Sequence, residues 1–357
     1  MEQETVNNQG SGPRGNQGKK TNWIVIITLL IVLIVGAGVI VSSLLKKKSP
    51  PIIQTDSGAK TTTTSKLRTL ETLTFDQASE VKEDPYGDKN GPFYHKVYKA
   101  TSTDGLTFTG KKLIADKSSV PDVVKMPDGK LFIYAVDGAR RSTQGLMVMV
   151  SSDNGETWKT GSFSIEVTGE PFAPADPQAV LLDDGRIRLF FVAFPMKKPA
   201  LDANGVPIPS GEKYKIKSAI STDGLNFEEE EGIRYESTDI LTDPDIVKIG
   251  SQWFMYMAKG SEQIAASSTD GLTFKLEKTI RPDGAISKTV DIGEGKFRQF
   301  FCKSGISSAV MTDGLNFTND PGSRIAETTG EIVCDPTPVK VGSGWLLFYK
   351  AAPMPKK

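Results

Sequence analysis

The sequence predicts an all-β fold: a five-bladed β-propeller closed by pairing N- and C-terminal segments, preceded by a single N-terminal transmembrane helix. Three observations carry this expectation. A short Asp-Gly motif recurs five times, a hairpin pattern recurs between its copies, and one uncharged apolar stretch lies near the N-terminus.

Taken in chain order, residues 1–22 are rich in Gly, Asn and Gln without apolar periodicity and read as a disordered tail. Residues 23–45 (WIVIITLLIVLIVGAGVIVSSLL) carry no charge and are long enough for a helix to cross about 30 Å of hydrocarbon. A cleaved signal peptide would have a shorter apolar region, about 7–15 residues. Arg14, Lys19 and Lys20 precede the stretch and Lys46, Lys47 and Lys48 follow it, so flanking charge leaves the topology open. Residues 46–70 read as a flexible Thr/Pro/Lys-rich stalk and residues 71–357 as the propeller.

Within the propeller region, the motif appears as STDGLTF from Ser102, SSDNGETW from Ser151, STDGLNF from Ser221, STDGLTF from Ser268 and MTDGLNF from Met311. Its aspartates, Asp104, Asp153, Asp223, Asp270 and Asp313, are 49, 70, 47 and 43 residues apart, and the long gap holds a Pro/Gly/Lys-rich insertion over 195–213. The remaining spacings match one four-stranded propeller blade. A second pattern, two apolar runs around a tight turn, starts at Pro121, Asp176, Asp243 and Asp335, with a degraded copy at Lys288. The last hairpin has no motif after it and the first motif has no hairpin before it. Pairing these orphans closes a fifth blade from both chain ends and removes exposed sheet edges.

Composition bounds the chemistry. Lys plus Arg (43) equal Asp plus Glu (43), which gives no electrostatic reason to expect nucleic acid. His95 is the single histidine, so multi-histidine zinc sites are excluded by counting, and neither metal nor cofactor is expected. The two cysteines, Cys302 and Cys334, make at most one bridge, the alternative being two buried free thiols.

A propeller directs its inner-strand starts toward one central funnel, where four of five blades carry an aspartate (Asp122, Asp176, Asp243 and Asp335) and the fourth carries Lys288. Clustered carboxylates raise one another's pKa, which suits acid–base work. The alternative is that each Asp-Pro pair only caps its strand. Arg140 and Arg141, on the loop between the second and third strands of the first blade, would overhang this funnel and meet an anionic sugar, or form a solvated basic loop.

SSDNGETW resembles the Asp-box (BNR repeat) of sialidase-type propellers, S-x-D-x-G-x-T-W, and the other four copies resemble versions one residue shorter. In such a turn the Asp accepts backbone N–H groups, Gly supplies φ > 0 and the closing aromatic packs between blades, so these residues read as structural. No F-R-I-P or Y-R-I-P signature of the sialidases is present. Residues 92–352 also resemble the five-bladed arabinanase/invertase-type glycoside hydrolases. That resemblance implies a carboxylate at Asp122, a transition-state-steadying Asp at Asp176, and a proton donor at Asp243 or a nearby glutamate (Glu170, Glu236 or Glu262). Where invertases read E-C-P-D, this chain reads Thr242-Asp243-Pro244-Asp245.

Two functions follow as expectations. One is a membrane-anchored, extracytoplasmic glycan-processing enzyme with Asp122, Asp176 and Asp243 as catalytic residues and Asp335, Arg140, Arg141 and Glu262 binding substrate. The other is a non-catalytic propeller that binds a glycan or cell-envelope ligand, or serves as a scaffold. Either would be a single-pass membrane protein and a monomer.

Overall fold

The computed structural model describes residues 67–77, 80–168, 172–194 and 213–354. The apolar stretch 23–45, the tail and most of the stalk lie outside them, as does residue 170. Among the described residues no helix is long and apolar enough to cross a membrane.

The described chain is all-β apart from one short 3-10 helix, Pro92–Tyr94, and its strands form five sheets. Blade I comprises Ser118–Lys125, Leu131–Asp137, Leu146–Ser151 and Lys159–Gly161, from the axis outward. Blade II comprises Ala173–Leu181, Ile187–Phe194, Tyr214–Ser221 and Asn226–Glu229, with Ser164–Glu166 added in parallel at its edge. Blade III comprises Thr242–Ile249, Gln252–Lys259, Glu262–Ser268 and Lys275–Arg281, and blade IV Ser287–Gly293, Lys296–Cys302, Gly305–Met311 and Thr318–Asn319. Blade V takes its two inner strands, Glu331–Val341 and Gly344–Pro353, from the C-terminus and its two outer strands, Lys96–Ser102 and Thr109–Asp116, from the N-terminal part. The closing register runs from Lys96 opposite Ala351 to Ser102 opposite Trp345, the closure expected from the orphan segments.

Burial explains the strand sequences. Second strands are covered on both faces by neighbouring blades, so LFIYAVD and IRLFFVAF read as continuous buried runs rather than alternating ones. Outermost strands such as TGKKLIAD and KLEKTIR are lysine-rich and mostly exposed, which discourages edge-to-edge pairing.

In every Asp-Gly turn the aspartate accepts two backbone N–H bonds from the residues that follow; Asp104, for example, takes Leu106 and Thr107 at 2.8 Å each. At Asp153 the Thr157 hydroxyl first, and elsewhere these N–H donors together with neighbouring Ser and Asn side chains, hold all five carboxylates below their ordinary pKa, with burial opposing them most at Asp223. The turns also join blades: the Tyr134 hydroxyl of blade I donates to Gly224 O of blade II at 2.9 Å, and Tyr256 of blade III donates to Gly314 O of blade IV at 2.8 Å. Gly224 sits at φ +75°, and a Cβ there would lie 2.9 Å from the Tyr134 oxygen, so only glycine fits.

Cys302, at the end of the second strand of blade IV, is disulfide-bonded to Cys334 on the inner strand of blade V, with a Cα separation of 5.1 Å. Of the two expectations for the cysteines, the bridge is the one found.

Candidate functional site at the axial mouth

Each inner strand of blades I, II, III and V has one extra residue near its start. The register slips between Ser119 and Asp122, Ala175 and Gln178, Thr242 and Asp245, and Cys334 and Thr337. At each slip the residue before a proline has positive φ: Val120 (48°), Asp176 (49°), Asp243 (51°) and Asp335 (50°). Outside glycine this conformation is uncommon, and Asp adopts it more readily than Val does. Blade IV has no such slip, since Cys302 bonds Ile286 and Ser287 pairs with Phe301 in unbroken register.

This geometry corrects the expected ring of four equivalent aspartates. Val120, not Asp122, is the blade I counterpart of Asp176, Asp243 and Asp335. Asp122 belongs one layer deeper with Gln178, Asp245, Lys288 and Thr337, which pair with the buried aromatics Tyr134, Phe190, Tyr256, Phe300 and Phe348.

The deeper layer staples blades together. Asp122 accepts Ala179 N of blade II at 2.7 Å, Asp245 accepts Thr289 N of blade IV at 3.0 Å, and Thr337 Oγ1 accepts Val123 N of blade I at 2.9 Å. Asp122 is also ion-paired with Lys288 Nζ at 2.6 Å, with both side chains buried. Burial raises the Asp122 pKa, and the Lys288 ammonium opposes that rise.

The outer layer is less well satisfied. Asp176, Asp243 and Asp335 are buried around a cavity of about 30 Å³, which Asp122 and Val120 also line. Asp176 Oδ2 accepts Asp243 N at 3.3 Å, while its Oδ1 has no hydrogen-bond partner among the described residues. Neither oxygen of Asp243 has a well-formed hydrogen bond among the described residues; the adjacent Thr242 hydroxyl and the Lys350 charge are what favour its ionised form. Asp335 is ion-paired with buried Lys350 at 2.5 Å, and its Oδ1 is unpartnered among the described residues. Burial pushes Asp176 up to about 7, with the Asp335 charge adding and the Asp243 N–H and Lys350 opposing. Asp243 is held well above the carboxylate range by burial first, then by the charges of Asp176 and Asp335. Two coupled carboxylates on adjacent strands, the second retaining its proton more firmly, can divide acid and base roles at neutral pH. The same free oxygens are hard donors that could hold one small cation. The sulfurs of Cys302 and Cys334 lie within 4.8 Å of an Asp335 oxygen but are bonded to each other, so that trio is not a metal site.

The other expected residues stand elsewhere. Arg140 and Arg141 do not line the cavity, because the segment before the first strand engages them: Arg140 donates to Pro85 O at 3.3 Å and lies over the Tyr86 ring, while Arg141 pairs with Asp137 at 2.9 Å and lies over Phe75. Glu262 is exposed at the start of the third strand of blade III, and Glu236, on an outer strand of blade II, is ion-paired with Lys213. His95 is fully buried. Its Nε2 donates to Asn90 O at 2.8 Å, leaving Nδ1 to accept the Ser119 hydroxyl at 2.8 Å, and burial with nearby Lys350 keeps its pKa well below 6.5. Sequence reasoning missed Asp245 and Lys350. The Asp-Pro-Asp of blade III signalled the first, and a lysine inside the apolar run LLFYKAA the second.

No protein-family model matches the chain, and no curated protein matches it. Solved structures are similar in fold. A protein of unknown function from Dyadobacter fermentans superposes with TM-score 0.50 at 16% identity, covering 71% of this chain and 83% of that one. The family 43 glycoside hydrolase BlXynB from Bacillus licheniformis gives TM-score 0.50 at 11% identity over 66% of this chain and 49% of its own, so the match spans about half of that protein. A thermostable family-43 glycoside hydrolase gives 0.45 at 13% identity, covering 67% and 93%. The chain therefore shares its propeller fold with glycoside hydrolases of family 43.

Proposed function

We propose that the chain is a membrane-anchored, extracytoplasmic glycan-processing propeller in which Asp243 and Asp176 form an acid–base pair at the axial mouth. The observation that carries this reading is the pair itself: two buried carboxylates on adjacent strands, short of hydrogen-bond donors, one of them with a pKa of about 7. Glycoside hydrolysis needs one protonated carboxyl to protonate the leaving oxygen and one carboxylate to activate water or attack carbon. Asp243, which holds its proton more firmly, is the donor in this scheme and Asp176 the base, while Lys350 compensates the charge of Asp335. Asp122 serves as a staple beside them. Residues 23–45 supply the anchor, and the Cys302–Cys334 bridge supports an oxidising compartment for the propeller.

One observation favours the non-catalytic alternative, a propeller that binds its glycan or cell-envelope ligand away from these carboxylates or serves as a scaffold. Asp176 is 1% and Asp243 6% exposed, and a cavity of about 30 Å³ holds about one water rather than a sugar ring. An oligosaccharide panel, assayed for both cleavage and retention, separates the two. Cleavage by the wild type that disappears in Asp176→Asn and in Asp243→Asn supports the enzyme. Retention without cleavage supports the binder, and neither activity sinks both.

A further inference from the structure

The channel widens on the opposite face, where the Asp-Gly turns lie. Two residues beyond the staple layer each inner strand carries a valine, Val124, Val180, Val247, Val290 and Val339, and these line a cavity of about 710 Å³. That volume lies in the range of small-molecule sites, about 300–1,000 Å³. Lys288, Thr289 and Gln178 form its buried floor, and Trp253 and Trp345 add aromatic surface to the wall. The buried Gln178 Oε1 on that floor has no hydrogen-bond partner among the described residues.

The rim charges are unevenly spent. Asp183 is paired with Lys248 at 2.9 Å, Asp184 with Arg186 at 2.7 Å, and Asp291 accepts Gly293 N at 2.7 Å. Lys125 and Lys340, near the ends of the adjacent inner strands of blades I and V, have no carboxylate partner among the described residues. Lys125 Nζ lies 3.3 Å from the Lys340 carbonyl, and the Lys340 ammonium has no partner among the described residues. Asp183 and Asp184 have cationic partners and Asp291 a backbone N–H, while Lys125 donates only to a backbone carbonyl and neither it nor Lys340 has a carboxylate partner among the described residues.

We propose that this cavity binds a free amphipathic anion, with its apolar body inside the valine ring and its carboxylate or other acidic group at Lys125 and Lys340. The volume suits one aromatic or single-chain acid rather than a two-chain lipid. The site does not involve the carboxylates of the axial mouth, so it stands or falls independently of the glycan reading.

The test is photolabelling of the full chain in its membrane with benzophenone-4-carboxylate, with uncharged benzophenone in parallel, mapping adducts by peptide mass spectrometry. Saturable labelling on the inner strands that carry the five valines, displaced by decanoate, is expected. Lys125→Met with Lys340→Met should weaken the carboxylate probe roughly tenfold and leave the neutral probe unchanged, since only the charged head loses its partners. Val180→Trp, which fills the channel, should abolish both. Because Lys125 and Lys340 are exposed, their substitution leaves the fold intact even if the tryptophan variant does not fold. Absence of saturable labelling there, equal labelling of the lysine variant by the acid, or displacement only by phosphatidylglycerol vesicles would overturn the proposal.

Discussion

Asp176 ties the axial site to a measurable stability. Burial raises its carboxyl from 3.8 to about 7, and at about 1.4 kcal/mol for each pKa unit, ionising this one group costs the folded state about 4 kcal/mol. The folded protein holds the proton more tightly than the unfolded chain, so native molecules bind the extra proton between about pH 4 and pH 7. The contribution is complete below about pH 4 and is lost as pH rises to 7. Asp243, raised by burial and by Asp176, extends the loss in the same direction. The five turn aspartates act oppositely: their lowered pKa values add stability above pH 4 that is lost on acidification below it. The turn aspartates therefore act below the window of Asp176, whereas buried His95, held well below 6.5, opposes Asp176 within it by adding stability as pH rises to about 6.5.

Urea denaturation of the full chain, followed by tryptophan fluorescence from pH 4 to pH 8, should show wild-type stability falling by about 4 kcal/mol relative to the Asp176→Asn variant, in which buried His95 titrates unchanged. Asp176→Asn removes the titrating group and should flatten much of that fall. Asp243→Asn removes the more firmly protonated carboxyl and should leave the fall due to Asp176 in place. Both variants should be more stable than wild type at pH 8, because each lacks a buried carboxyl whose ionisation the fold opposes. An Asp176→Asn variant whose stability follows the wild-type curve across this window would refute the reasoning.

Three further outcomes are expected. Reducing the Cys302–Cys334 bridge, which closes a separation of 32 residues between blades IV and V, should cost about 4 kcal/mol, seen as a reductant-dependent drop in Tm that the double Cys→Ser variant lacks. Tyr134→Phe leaves Gly224 O without its donor and should cost about 1–3 kcal/mol in denaturant unfolding, with Tyr256→Phe matching it through Gly314. Lys288→Met strands the Asp122 charge in the interior and should cost about 3–5 kcal/mol, most of it recovered when Asp122→Leu is added; additive losses in that double-mutant cycle would contradict the pairing.

The blades were legible in the sequence because each is built from local hairpins, and the orphan hairpin at 335 and orphan motif at 104 forced the closure. The axial site was legible in residue type but not in register. Aligning copies on their aspartates put Asp122 beside Asp176, whereas the conformational marker is the proline: Val120-Pro121, Asp176-Pro177, Asp243-Pro244 and Asp335-Pro336 share the positive φ. One inserted residue, as in any β-bulge, changes which side chain occupies a given position. Arg140 and Arg141 were misplaced for a different reason. Their partners Phe75, Pro85 and Tyr86 come from the segment before the first blade strand, a non-local contact that no short pattern encodes.

Blade IV departs from the other four, and that departure gives the axis its asymmetry. It has neither the proline nor the extra residue, and at the staple position it places Lys288 where the others carry Asp, Gln, Asp and Thr. Blades I and IV are not neighbours in the ring, so the Lys288–Asp122 pair reaches across the channel instead of along a blade interface. Asp122 lines the small carboxylate cavity and Lys288 lines the large valine cavity, which makes the ion pair a plug between them. With the plug in place, the crowded carboxylates keep a low-dielectric surrounding that holds Asp176 near neutrality, while the valine channel beneath stays apolar up to its lysine rim. The proposed acid–base pair and the proposed amphipathic-anion site would then lie at the two mouths of one propeller, with the staple-layer side chains Asp122, Gln178, Asp245, Lys288 and Thr337 between them.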